Sequence, residues 1–242
     1  PAEFASKGII TDVTKNFPAS WKSEMLGGAL SSAEYQGKYY GVPWGPSTKL
    51  FFYNKDMLAK VGAGPDDVKT WDGVLAVAKK LKDAGIVQYP ISWSWSQAEA
   101  LVCDYAELLG AFGGQFTDSS GKLVINKGAG VRALEFMKKS IDDGLTDPAS
   151  TTFLEDDTDK SMAAGKTAME LNWESTFRDQ NDPSISKVVG QVAVTVPPAG
   201  PNGDNPGVNG SMALAIGAKS KHQAAAWKFI EYMTSEAVQD KY

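Results

Sequence analysis

The sequence is short of the residues on which many catalytic and metal sites depend. It has one histidine, His222, and one cysteine, Cys103. His222 stands near the start of an amphipathic helical pattern on its polar side, which is typical of a solvated surface histidine. With its single histidine at the surface, the chain has none available for a Ser-His-Asp or Cys-His catalytic site, an HExxH zinc site or a Cys/His metal cluster. We therefore predict no catalytic residue, no metal site and no cofactor.

Long apolar runs and blocks of basic residues are also absent. The longest uncharged apolar run covers residues 212–218, whereas a membrane-spanning helix needs roughly 18 apolar residues. The chain has 24 Lys and Arg against 29 Asp and Glu, and no block of five basic residues. Neither a phosphate backbone nor an anionic bilayer would be neutralised by this composition. We expect no nucleic-acid partner, and a neutral ligand.

The chain termini lack the usual processing signals. The sequence begins at Pro1 without a methionine, a signal peptide or a lipidated cysteine. Cys103 has no second cysteine with which to form a disulfide, and it falls within an apolar helical pattern that predicts a small buried thiol. We expect the 242 residues to be a portion of a longer protein.

Helical and strand-like patterns alternate along the chain. Helices are predicted from Thr70 to a stop at Gly85, over residues 98–109, from Asn126 to Gly144, and after Ser220. Strand-like runs cover residues 49–53, 87–93, 167–171, 188–196 and 211–216. Strands separated by helices of ten or more residues indicate crossover connections and a largely parallel sheet. The predicted fold class is α/β.

Two glutamates leave an enzymatic alternative open. Glu170 and Glu174 flank the end of a predicted strand, and glycoside hydrolysis needs two carboxylates on either side of the scissile bond. A strand followed by Asn172, Trp173 and Glu174 equally suits a loop that binds sugar. The residues alone do not separate a carbohydrate-active enzyme from a binding protein.

The tryptophans divide according to the element that carries them. Trp71 and Trp227 belong to helical patterns and are predicted to pack in a core. The other group lies at or just beyond strand ends, where α/β sheets place ligand crevices; it comprises Trp44, Trp93, Trp95 and Trp173. Large aromatic rings in such loops suit the C–H faces of pyranose rings, while nearby polar groups bond the hydroxyls. The pattern favours a carbohydrate ligand.

An ordered set of motifs resembles one protein family over essentially the whole chain. Residues 39–44 read Tyr-Tyr-Gly-Val-Pro-Trp and residues 50–56 read Leu-Phe-Phe-Tyr-Asn-Lys-Asp. Further motifs follow in the same order, at residues 70–72, 164–169, 173–174, 209–211 and 225–234. Together they resemble the family 1 extracellular solute-binding proteins, which are maltose-binding-protein-like receptors of ABC importers.

The resemblance implies a type II periplasmic-binding-protein-like fold with two lobes joined by a hinge. It places Pro1 about a quarter of the way into a family member, so the N-terminal lobe is expected to be incomplete. Residues 1–50 would form part of that lobe and the first crossover, and residues 51–207 most of the C-terminal lobe. Residues 208–242 would form the second crossover and return to the N-terminal lobe.

The resemblance also implies a set of sugar-binding residues. Trp173 would be the stacking platform with Glu174 nearby for hydroxyl groups, although many members have Asn-Gly-x-Trp where Asn172 directly precedes Trp173 here. Trp44 and Ser47 would line the cleft beside the first crossover. The remaining implied positions are Trp93 and Trp95 on a C-lobe loop, and Asn209, Gly210 and Ser211 at the second crossover.

Function and partners follow from the same resemblance. The chain would be the binding component of an ABC sugar importer, with a mono- or oligosaccharide ligand and membrane permease subunits as partners. We expect a periplasmic or extracellular location, with or without a lipid anchor, and a monomer at full length. The alternatives are a glycosidase-like enzyme using Glu170 and Glu174, or a same-fold receptor for a polyamine, metal or anion.

An incomplete N-terminal lobe is expected to weaken sugar binding. Micromolar affinity corresponds to about −8 kcal/mol, and loss of one face of the cleft would leave roughly half of it, which is millimolar binding. We expect the 242-residue chain to bind sugar barely or not at all. Trp93, Trp95 and Trp173 are then expected to be largely exposed to water.

Overall fold

The computed structural model describes residues 1–241. Its helices and strands are, in chain order, α1 (Ala2–Ser6), α2 (Trp21–Glu24), α3 (Gly27–Ser31), β1 (Glu34–Tyr35), β2 (Lys38–Tyr39), β3 (Val42–Gly45), β4 (Lys49–Asn54), α4 (Lys55–Lys60), α5 (Trp71–Asp83), β5 (Ile91–Ser92), α6 (Glu99–Ala111), α7 (Ala129–Asp142), α8 (Glu155–Ala163), β6 (Met169–Trp173), α9 (Thr176–Gln180), β7 (Val192–Thr195), β8 (Met212–Leu214), α10 (Gln223–Met233) and α11 (Glu236–Gln239). Short 3₁₀ helices cover Pro65–Val68 and Pro148–Thr151. The arrangement is α/β, as the alternating sequence patterns predict.

The chain divides into two compact units. Unit 1 consists of Pro1–Thr48 and Asn209–Tyr242, and unit 2 of Lys49–Val208. The family resemblance implies a C-terminal lobe of residues 51–207, whereas unit 2 covers residues 49–208. Tyr242, the last residue of the expected 208–242 segment, lies outside the described residues.

Unit 2 is built on a four-stranded sheet with the strand order β5-β6-β4-β7. β5 pairs parallel to β6, but β4 pairs antiparallel to both β6 and β7. The expectation of a largely parallel sheet is therefore wrong, and the sheet is mixed. A parallel pair of strands needs a long connection between them, but a long connection does not require the next strand to run parallel.

The main core of unit 2 is rich in aromatic rings. Trp71, the first residue of α5, is buried at its centre. Its ring centroid lies 5.8 Å from that of Phe51, 5.4 Å from that of Trp93 and 5.6 Å from that of Phe136. Such edge-on and tilted aromatic pairs add to the free energy gained by burial. Cys103 is also buried in this unit, as its apolar surroundings in the sequence predict.

Helix α6 holds the residues at both ends of unit 2. Asp104 and Glu107 lie three positions apart on this helix, and both are fully buried. Asp104 accepts a hydrogen bond from the ammonium of Lys49, and Glu107 Oε2 accepts one of 3.0 Å from the backbone N–H of Val208. The first and the last residue of unit 2 are thus bonded to one face of one helix.

Unit 1 has a smaller core around Trp227. β3 pairs antiparallel with β8, and β1 with β2. Phe17 stacks on Tyr39 with 4.1 Å between ring centroids, and Trp21 stacks on Trp227 at 6.2 Å. Trp227 is buried, as its helical position in the sequence predicts.

Candidate sugar-binding residues

Several strand ends of unit 2 meet at one edge of its sheet. In the antiparallel pair β4–β6, Lys49 at the start of β4 lies opposite Trp173 at the end of β6. Because β5 runs parallel to β6, the segment that follows β5, residues 93–95, leaves the sheet on the same side. We call this group of Lys49, Trp173 and residues 93–95 the Trp173 edge. The strand directions alone bring these residues together.

Trp173 is half-buried at this edge and is held by three neighbours. Its indole Nε1 donates a hydrogen bond of 3.3 Å to Glu155 Oε1 at the start of α8. Its backbone N–H donates to the Asn172 side-chain oxygen at 2.9 Å. The Lys49 ammonium lies 5.3 Å from the centroid of the Trp173 ring, within the range of a cation–π contact. The next residue, Glu174, is exposed.

Lys49 belongs to a buried ion pair. Its Nζ lies 2.6 Å from Asp104 Oδ1, and both side chains have no exposed surface. Burial works to lower the pKa of Lys49, but the Asp104 carboxylate outweighs it, so the pKa of the lysine is raised and the ammonium stays charged. Asp104 also accepts a hydrogen bond of 3.1 Å from the backbone N–H of Ser94. The pair therefore joins β4, α6 and the segment after β5.

Trp93 and Trp95 are buried, so the expectation that they are exposed to water is wrong. Trp93 is 0% exposed and Trp95 is 5% exposed. Trp93 stacks on Trp95 with 4.9 Å between centroids and donates from Nε1 to Thr146 Oγ1 at 3.1 Å. Residues 91, 93 and 95 continue the period-two alternation of β5, which turns all three into the core. Whether either ring contacts a ligand stays a prediction.

The other predicted residues lie in unit 1 and also lie close together. Trp44, in β3, is 38% exposed. The backbone N–H of Ser47 donates to Ser211 Oγ at 3.3 Å, and the N–H of Gly210 donates to the Ser47 carbonyl at 3.0 Å. Asn209 is bound to its own unit, since its Nδ2 donates to the carbonyl of Gly28 and to Ser31 Oγ and its Oδ1 accepts from the N–H of Ser211. This group stabilises the two chain segments beside the crossovers.

Glu170 and Glu174 do not form an exposed carboxylate pair. Glu170 is fully buried, and its Oε1 accepts a hydrogen bond of 2.6 Å from Gln180 Nε2. Burial raises the pKa of Glu170 to about 8, with a further increase from Asp159. Its Oε2 has no hydrogen-bond partner among the described residues. A carboxyl group without exposed surface offers a sugar no contact, so the glycosidase-like pair predicted as an alternative is wrong.

Sequence reasoning missed Lys49, Asp104 and Glu155. The available signal was a charged residue inside an apolar pattern, because buried Lys and Asp occur almost only where they are paired. Lys49 opens the apolar run of β4, and Asp104 lies within the apolar helix α6. Their separation of 55 positions leaves no local motif that would identify them as partners.

The described residues carry no sign of a metal centre or a membrane span. Within residues 1–241, no group of three or more His, Cys, Asp or Glu side chains is arranged to hold a metal ion. None of the helices in the same range has the length and apolarity that a bilayer crossing needs.

Comparison with known proteins gives consistent matches along the chain. The family model of bacterial extracellular solute-binding proteins matches residues 1–240. A probable ABC transporter-binding protein of Deinococcus radiodurans is 27% identical over 238 residues, which cover 96% of this chain and 56% of that protein.

Solved structures match over nearly the whole chain as well. Maltose-bound MalE3 of T. maritima has a TM-score of 0.89 and 33% identity, covering 99% of this chain and 61% of the other. A solute-binding protein of Thermotoga lettingae bound with α-D-tagatose has a TM-score of 0.86 and 28% identity, covering 98% and 61%. The chain thus spans 56% of the Deinococcus relative and 61% of each of these two structures.

Proposed function

The chain belongs to the bacterial extracellular solute-binding proteins, and on that premise we propose that it contributes to a sugar-binding site of an ABC importer receptor. Its fold is the α/β fold of type II periplasmic binding proteins. The family consists of binding proteins and not of enzymes, so the ligand would be released unchanged. Membrane permease subunits would be the protein partners, and the location would be periplasmic or extracellular.

The proposal of a sugar or polyol ligand is supported by the Trp173 edge. Trp173 is a half-buried indole held at a strand end, and Glu174 beside it is exposed. An aromatic face next to polar groups suits the C–H face and the hydroxyls of a sugar. Two solved structural relatives above 25% identity are bound with maltose and with α-D-tagatose, respectively.

The remaining predicted contacts come from unit 1. Trp44, Ser47 and residues 209–211 lie in unit 1, beside the two points where the chain passes between the units. Because the chain spans about three fifths of its solved relatives, we expect weak, millimolar binding by the 242 residues alone.

Saturation-transfer difference NMR detects binding in this range and tests the proposal. The chain is mixed in turn with maltose, tagatose, mannitol, spermidine and citrate, each of which carries observable C–H protons. We expect signal transfer to at least one sugar or polyol and recovery of that compound unchanged after incubation. Transfer to spermidine or citrate alone would establish a receptor for another solute, and transfer to none would contradict the proposal for this chain.

A further inference from the structure

Charged side chains surround the indole of Trp173 on two sides. The Glu155 carboxylate accepts the only hydrogen-bond donor of the ring, Nε1, at 3.3 Å. The Lys49 ammonium lies over one ring face, 5.3 Å from the centroid. A hydrogen bond at the edge and a cation on a face restrict different rotations of the side chain. Together they define one orientation of the indole plane.

We infer that Glu155 and Lys49 are positioning residues that orient Trp173 so that only the ring face opposite Lys49 can receive a sugar. This inference rests on the proposed sugar-binding function of Trp173. An aromatic ring has two faces, and the ammonium over one of them excludes a pyranose from that side. Trp173 would therefore carry one sugar ring and would not be sandwiched between two.

Lys49 is fixed because its own partner is buried. Asp104 has no exposed surface and bonds Lys49 Nζ at 2.6 Å, and Ser94 Oγ lies 3.4 Å from the same nitrogen. If the ammonium left the ring face, an unpaired carboxylate would stay in the interior, which costs several kcal/mol. The blocked face is thus a stable property of unit 2.

Glu155 is fixed by the first turn of α8. The Asn172 amide donates to the Glu155 carbonyl at 3.1 Å and to Thr158 Oγ1 at 3.2 Å. The same Asn172 accepts the backbone N–H of Trp173 through its side-chain oxygen. Both the backbone and the indole of Trp173 are therefore tied to one turn of one helix.

Labelling with 5-fluorotryptophan tests the orientation without any ligand. The Trp173 fluorine resonance is identified by its loss in Trp173→Phe. We expect Glu155→Leu to shift or broaden this resonance, and Glu155→Gln, which keeps an acceptor oxygen, to restore it. Asp156→Asn, which removes a charge from the neighbouring exposed position, should leave it unchanged. A Trp173 resonance that stays in place in Glu155→Leu overturns the role of Glu155.

The role of Lys49 is tested with a charge-free pair. Lys49→Met alone leaves Asp104 unpaired and is expected to destabilise unit 2, so Lys49→Met with Asp104→Leu is the working variant. We expect the Trp173 resonance to move while the other six tryptophan resonances of the seven keep their dispersion. An unchanged Trp173 resonance in this folded double variant overturns the role of Lys49.

Measurement of sugar binding distinguishes a failure of this inference from a failure of the proposed function on which it rests. We expect Glu155→Leu to reduce saturation transfer to the bound sugar several-fold and Glu155→Gln to keep it. A displaced Trp173 resonance with undiminished transfer would overturn the positioning role in binding. Absence of transfer in the parent chain would instead overturn the proposed function, while the fluorine spectra would still decide whether the indole is oriented as inferred.

Discussion

Side chains at the end of strand β6 change from fully buried to exposed within a few positions. Glu170 is fully buried and Glu174, four positions later, is exposed, with half-buried Trp173 between them. A side chain at such a boundary is suited to contact a ligand because its orientation is fixed by the interior while part of its surface stays accessible.

Replacement of Trp173 by alanine should affect binding more than stability. In the full-length protein we expect sugar binding to weaken by about 1 to 3 kcal/mol, which is what contact with a large apolar side chain is typically worth, with little change in melting temperature. Phe177→Ala is the matched control, because Phe177 is an exposed aromatic residue of α9. Titration calorimetry or NMR measures the affinity and calorimetric melting the stability. A strongly destabilised Trp173→Ala protein with unchanged affinity would place this residue in the core.

The stability of unit 2 should fall as the pH rises above the ordinary range of a carboxyl group. Burial raises the pKa of Glu170 from 4.5 to about 8 and that of Glu107 likewise to about 8. Between these values the folded state holds protons that the unfolded state has lost, so the free energy of unfolding decreases with pH, by up to about 1.4 kcal/mol per pH unit for each group. Below about pH 4.5 both states are protonated and this stabilisation is fully present.

Glu170→Gln tests this dependence because an amide resembles the protonated acid in shape. We expect the variant to lose less stability than the parent between pH 5 and pH 8, since one of the two titrating groups is gone. Urea unfolding at several pH values measures the free energy of unfolding. Parallel pH profiles for the two proteins would show that Glu170 does not titrate in this window.

Among the elements, α5 shows how a local signal fixes a helix. Thr70 accepts a hydrogen bond of 3.1 Å from the N–H of Gly73, and Gly85 has φ +65° just beyond the helix. These are the start and the stop that the sequence predicts. The residues between them bury one apolar stripe against the sheet of unit 2.

Removal of this cap should destabilise unit 2 modestly. Thr70→Ala leaves the N–H of Gly73 without its side-chain acceptor, and we expect a loss of about 1 kcal/mol in the free energy of unfolding. Thr70→Ser keeps a hydroxyl group at the same position and should lose much less. Chemical denaturation of the three proteins makes the comparison. Equal loss in the serine and alanine variants would show that the methyl group, not the hydroxyl, matters here.

Other elements were harder to predict because packing decided them. The helical spacing of Val131, Leu134, Met137 and Ile141 predicts that these four residues of α7 lie inward. Val131 and Leu134 are exposed, however, and the buried face includes Gly130 and Ala133. Tyr105 of α6 donates to the Gly130 carbonyl at 3.2 Å, a close approach that small residues permit and hydrophobicity scales undervalue. The buried face thus combines the small residues that allow this approach with the large apolar side chains of Phe136 and Met137.

Strand β5 is shorter than its sequence pattern suggests for a similar reason. The pattern predicts residues 87–93, but the strand covers only Ile91–Ser92. Pro90 has no N–H to donate to a ladder, and its carbonyl accepts from the N–H groups of Ala168 and Met169. The candidate site also has a part that depends on local sequence and a part that depends on packing. The positions of Trp173 and Glu174 at a strand end could be predicted locally, whereas the Lys49–Asp104 contact depends on tertiary pairing.

At the scale of the whole molecule, the two units differ in the amount of buried apolar side chain. The main core of unit 2 includes aromatic residues from β4, α5 and α7 and the long apolar face of α6. Unit 1 has a smaller core around Trp227. Greater apolar burial predicts greater resistance to local unfolding.

Limited proteolysis should therefore leave unit 2 as the resistant piece. We expect cleavage within residues 1–48 at protease concentrations that leave Lys49–Val208 intact, because proteases cut segments that open locally. Mass spectrometry of a time course identifies the surviving fragments. Survival of the N-terminal 48 residues beyond unit 2 would contradict the assignment of the stronger core.

The buried pair of Lys49 and Asp104 also has an evolutionary consequence. Loss of either partner alone leaves an uncompensated charge in the interior, whereas an apolar pair of similar volume can be tolerated well. A lineage that acquired this pair can leave it only through a destabilised single substitution or through two simultaneous changes. The pair is therefore entrenched, because losing it means crossing a stability barrier in addition to any loss of the orientation of Trp173.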